Sequence, residues 1–108
     1  MAKSKSFQAT PFAMTQAYFS KSFDLDHDHV GTDDDYVERK TITVVARTAE
    51  EVRVIVFRTF QNIDDDHLTP DGERSLMVGD LIRIIGDDHV SMHRVDMVGF
   101  SQVKGFEL

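Results

Sequence analysis

The chain contains no cysteine. That rules out disulfides, thiolate metal sites and cysteine nucleophiles, and it is compatible with a reducing compartment. No apolar run approaches the roughly 20 residues needed to span a bilayer as a helix. The basic start, Met1-Ala2-Lys3-Ser4-Lys5-Ser6, is not followed by an uninterrupted hydrophobic signal segment. A soluble, unexported, cytoplasmic protein with no membrane partner is the expectation. Bases are scarce as well: 12 Lys and Arg face 19 Asp and Glu, for a net charge of -7. A net negative surface repels phosphate backbones, so nonspecific nucleic-acid binding is not expected. Several signatures of chemistry are missing too. There is no Gly-x-Ser-x-Gly elbow with an assignable His–Asp pair, no His-Glu-x-x-His, no glycine-rich phosphate loop and no RNA-binding aromatic pattern.

What is present suits one folded domain. The 108 residues are 41% hydrophobic and include eight Phe, enough for a core without disulfides or a structural metal. Charge is unevenly placed. Residues 1–23 carry Lys3, Lys5 and Lys21 and no acid, whereas 24–38 carry Asp24, Asp26, Asp28, Asp33, Asp34, Asp35 and Glu38 and no Lys or Arg. The chain therefore divides into a basic, aromatic N-terminal arm or helix (1–23), an acidic loop (24–40) and an α+β core (41–108).

Residues 1–9 read as a loose end. Thr10-Pro11 has the chemistry of a helix start, since Thr caps and Pro is tolerated in the first turn. Phe12, Ala13, Gln16, Ala17, Phe19 and Phe23 supply a partly helical stripe, although Phe19, Phe23 and Leu25 also fit a two-residue period. A short helix is favoured; an arm over 7–23 that orders on another subunit is the alternative. Thr41-Ile42-Thr43-Val44-Val45-Ala46 reads as a strand. Thr48-Ala49-Glu50-Glu51 has the capping-box form, and Val52, Ile55, Val56, Phe60 and Ile63 follow at helical spacing, predicting a helix over 49–62. A strand over 52–57 competes, because that run is rich in β-branched residues. After a loop over 63–74 come strands at 78–85 and 89–98 joined by a turn at Gly86-Asp87-Asp88. A bulge is expected near His93-Arg94, and a last edge strand at 101–106. The fold class is thus α+β: a small, mainly antiparallel sheet packed by one helix.

The best metal candidate is Asp26, His27, Asp28 and His29, whose carboxylates and imidazoles suit a divalent cation. A hydrated acidic loop is the preferred reading, since the spacing matches neither an EF-hand nor a zinc hydrolase. Asp64-Asp65-Asp66-His67 could complete such a site across the fold, but a solvated loop is preferred there too. His89 and His93, four apart on a strand, face one side and could ligate or sense pH. Arg74, Ser75, Gly79, Asp80, Gly99 and Phe100 are assigned to a fold-defining turn, with Arg74 and Asp80 in charge-assisted hydrogen bonds and Gly79 at a tight backbone approach or a bulge.

The segment Arg74-Ser75-Leu76-Met77-Val78-Gly79-Asp80-Leu81-Ile82, with Arg94-Val95-Asp96-Met97-Val98-Gly99-Phe100 downstream, resembles the C-terminal signature of YodL-like proteins of phages and plasmids. Glu50-Glu51-Val52 and Phe57-Arg58-Thr59-Phe60-Gln61-Asn62 resemble the segment that precedes it. The likeness spans about 41–103, and Met77 stands where the family usually has Ser. The resemblance implies a mobile-element origin and an accessory role in a bacterial host, and it implies no reaction. Three functions are therefore carried forward. The leading one is a non-enzymatic protein that binds a host or viral protein, in one version as an acidic DNA mimic. The second is a divalent-metal-dependent binding or hydrolytic protein using the Asp/His loop. The third is a structural or self-assembling virion component, with residues 7–23 as an exchange arm.

Overall fold

The computed structural model describes residues 4–22, 31–61, 75–86 and 89–103. Strand β1 (Lys5–Met14) leads through helix α1 (Gln16–Ser22) and a 3-10 turn (Asp33–Asp35) to β2 (Tyr36–Glu38) and β3 (Ile42–Ala46). Helix α2 (Ala49–Thr59) then precedes β4 (Leu81–Ile85), β5 (Val90–Val95) and β6 (Phe100–Val103). The strands form one antiparallel sheet in the order β2-β1-β4-β5-β6, with β3 also on β1. The class is α+β, as the residue pattern predicts.

The N-terminal segment differs from the expectation. Residues 5–9 are not a loose end and no helix starts from Thr10-Pro11; residues 5–14 are the central strand, the helix begins only at Gln16, and residues 1–3 lie outside the described residues. The local helix-start chemistry is overridden by long-range pairing. The Thr10 hydroxyl meets the Thr41 hydroxyl at 2.7 Å instead of capping a helix. Pro11 sits where the ladder breaks. β2 pairs with β1 as Phe12↔Glu38 and β3 as Ala9↔Ile42, a shift of one residue, so 36–46 form one column with an extra residue near 39–41. The Pro11 carbonyl accepts from Arg39 N at 2.9 Å. Its donorless nitrogen therefore faces this interruption, where no ladder bond is lost. The acidic loop is also shorter than expected at its end, since Tyr36–Glu38 are strand.

β1 is buried on both faces, so its period is masked. Phe7 and Ala9 join Val44, Ala46, Ile82, Ile84 and Val95 beneath α2, while Phe12 and Met14 join Leu81, Met92, Tyr18 and Tyr36 beneath α1. α2 forms as its capping box dictates. Thr48 is extended (φ -137°, ψ 161°), and its hydroxyl accepts from Glu51 N at 3.3 Å. The Glu51 carboxylate reaches back to Arg47 N at 3.3 Å, one residue before the cap itself. Val52, Val56 and Phe60 are fully buried along one side, each worth about 1.5–3 kcal/mol of burial. Ile55, expected on that side, is exposed instead, and the helix stops at Thr59, short of 62. Ile63 lies outside the described residues.

β4 and β5 are shorter than the expected 78–85 and 89–98, because Val78-Gly79 and 96–99 are turns. No bulge occurs at His93-Arg94; the register runs unbroken from Leu81↔Arg94 to Ile85↔Val90. The imperfect alternation of β5 reflects burial on both faces. β6 (Phe100–Val103) is the edge strand, as expected of 101–103, and residues 104–106 lie outside the described residues.

Candidate functional site

Asp80 anchors the turn assigned to it. Its carboxylate is fully buried, with Oδ1 accepting from Met14 N and Oδ2 from Met77 N, both at 3.0 Å. Its carbonyl accepts from Val95 N at 2.9 Å, so one residue ties the end of β1, the turn and the end of β5 together. Gly79 has φ +99°, and an added Cβ would lie 2.8–2.9 Å from the end of the Met14 side chain. Gly99 has φ +75° with open space around it, and its carbonyl accepts from Asp96 N at 3.0 Å to close the β5–β6 hairpin. Phe100 stands edge-on to Phe57 at 6.0 Å, and Ser75 is half-buried ahead of the turn. Arg74 lies outside the described residues, as do Asp26, His27, Asp28 and His29 and the run Asp64-Asp65-Asp66-His67. Among the described residues no cluster of three His, Asp or Glu could hold a metal, and no helix is long and apolar enough to cross a membrane.

Two features stand out. The first is a half-open pocket of about 260 Å³ between the start of α2 and the sheet, where His89 and His93 do share one side. His89 is exposed at its rim, whereas His93 is buried. His93 Nε2 lies 2.8 Å from Ser91 Oγ, and its Nδ1 lies 3.2 Å from Arg53 Nη1. This looks superficially like a nucleophile–base pair, but its polarity is reversed. Arg only donates, so Nδ1 must accept and the single imidazole proton sits on Nε2, directed at Ser91. A catalytic dyad needs a carboxylate in the place of Arg53, so that Nε2 can take the serine proton. Burial, and then the Arg53 guanidinium, push the His93 pKa down to about 4 against an opposing pull from Glu50. The imidazole is thus neutral at physiological pH and already a donor toward Ser91.

The second feature is the tip of the β5–β6 hairpin. Met97 and Val98 are 89% and 93% exposed, the most exposed large apolar residues described. Beside them is the Val78-Gly79 turn, bound to β5 through Gly79 N to Val95 O at 2.8 Å. Val78 is itself about half exposed. The hairpin base is braced. Arg94 Nε donates to Asp96 Oδ1 at 2.8 Å and its Nη2 to Ser101 Oγ at 3.1 Å, across the two strands.

Sequence reasoning missed Ser91 and Arg53, and it missed the exposed tip. Ser91 and His93 are two apart on a strand, a spacing that does announce one face. Arg53 comes from α2, and no sequence signal joins it to them. Comparison with protein-family models, with curated proteins and with solved structures gave no match, so the functional reading rests on this geometry.

Proposed function

We propose that this protein acts by binding another protein rather than by catalysis, as an accessory protein of a phage or other mobile element in its bacterial host. The origin rests on the resemblance over 41–103. The binding reading rests on one observation: two apolar side chains, Met97 and Val98, held almost fully in solvent on a braced turn. Exposing them has no folding benefit, and a rigid presentation lowers the ordering cost of association. Val78 extends the apolar tip to the neighbouring turn. The partner that fits offers an apolar pocket with basic groups around it, matching the net charge of -7.

The test compares the wild-type chain with Met97→Ser/Val98→Ser as baits in nuclease-treated lysate of infected and uninfected hosts. A stoichiometric partner captured by the wild type and lost by the double variant is expected. Both side chains are exposed, so the variant keeps its fold, which circular dichroism checks. Equal capture by both baits, or no partner for either, refutes the reading.

A further inference from the structure

The pocket at the start of α2 carries a second, independent inference, which does not depend on the hairpin tip. Its floor is a one-way chain of hydrogen bonds. Arg53 donates to His93 Nδ1, and His93 Nε2–H donates to Ser91 Oγ. The Ser91 oxygen therefore receives a proton, and its own O–H is left to donate. Ser91 is only 6% exposed and lines the pocket, and among the described residues that O–H finds no acceptor. A buried donor without an acceptor costs free energy unless a ligand or water supplies one.

The walls repeat the same polarity. Ala49 and Glu50 open α2, and their backbone N–H groups have no partner among the described residues, because Thr48 caps the N–H of Glu51. Both residues line the pocket. At the rim Lys5 and Arg47 are exposed and form no ion pair among the described residues. Among the described residues Glu50 is the one carboxylate in the lining. A cationic, donor-rich pocket on a chain of net charge -7 is the reverse of the average surface.

We propose that this pocket binds a phosphate group, as inorganic phosphate or as a small phosphomonoester. Donor-bearing residues line it at three levels: Ser91 in the buried floor, Ala49 and Glu50 at the start of α2, and Lys5 and Arg47 at the exposed rim. A tetrahedral oxyanion answers all three at once, where a flat carboxylate answers fewer. The volume of about 260 Å³ admits a phosphate with a short organic tail and excludes a dinucleotide.

The test is titration calorimetry of the full chain with sodium phosphate, with glycerol 3-phosphate, and with sodium chloride at matched ionic strength. Saturable binding of one or both phosphates, absent with chloride, is expected. Tighter binding of the free ion or of the ester identifies the source. Ser91→Ala should weaken binding roughly tenfold, the scale of one hydrogen bond to a charged group. Lys5→Gln/Arg47→Gln, at two exposed sites that the fold does not need, should weaken it at least as much. Chemical-shift changes should centre on Ala49, Ser91 and His93. No saturable heat, heats equal to those of chloride, or unchanged affinity in the Lys5/Arg47 variant overturns the proposal. That charge variant decides the matter if Ser91→Ala fails to fold.

Discussion

Asp80 offers the sharpest quantitative test of how the fold is held. Replacing it by Ala removes a fully buried carboxylate that accepts from Met14 N and Met77 N. The Met14 amide is buried and held in β1, whereas the Met77 amide is only partly buried in the turn. A stranded buried donor costs about 1–3 kcal/mol and a partly buried one less, so Asp80→Ala should destabilise by about 2–4 kcal/mol. That is a large part of the roughly 5–15 kcal/mol that a domain of this size has. Asp80→Asn keeps the shape and one acceptor but turns an N–H₂ toward the second amide, so about half that loss is expected. Urea unfolding at 25 °C, followed by circular dichroism, gives both values from the shift in midpoint at constant slope. A loss below about 1 kcal/mol for Asp80→Ala would show that the two amides find other partners and that the anchoring role is wrong.

Two further tests follow from the structure. Gly79→Ala should cost more than Gly99→Ala in the same urea assay: both positions have positive φ, but Gly99 at +75° lies nearer the left-handed well at about +57° than Gly79 at +99°, and the Cβ contact at Gly79 is with the flexible end of Met14, which can move aside. About 1 kcal/mol for Gly99 and about 2 kcal/mol for Gly79 are expected, and equal losses would contradict the backbone argument. His93 should make stability depend on pH, since its folded pKa of about 4 lies below the ordinary imidazole value of 6.5. Between these values the unfolded chain binds a proton that the folded chain does not. Stability is therefore full above pH 6.5 and falls as the pH drops toward 4. From pH 6.5 to 5, before most carboxylates titrate, about 1.5 kcal/mol should be lost; urea midpoints of the wild type and of His93→Gln read this, and only the wild type should carry that slope.

Much of the architecture was legible residue by residue. The capping box at Thr48 and Glu51 places the start of α2, and Val52, Val56 and Phe60 mark its buried side. The β-branched run at 42–46 and the turn between β4 and β5 are equally plain, and they suffice for the α+β class. β1 was not legible. As the central strand it is apolar toward both α1 and α2, which erases the alternation that reveals a half-buried strand. Its Thr10-Pro11 pair also satisfies local helix-start rules, and only the partners across the sheet show that Pro11 belongs at a break in the ladder.

The same division holds for the candidate sites. Sequence by itself determined features that act over a few residues: helix caps, turn glycines, the shared side of His89 and His93 and the excess of negative charge. Tertiary structure alone decided which side chains meet. It brought Arg53 to His93 across 40 positions and so reversed the polarity of what would otherwise pass for a catalytic pair. It also placed Lys5 and Arg47 around the same pocket and left Met97 and Val98 outside the core. Caps and turns follow from short-range backbone chemistry, which a sequence displays directly. Contacts between distant residues follow from the cooperative pairing of the whole sheet, which no short stretch of the chain encodes.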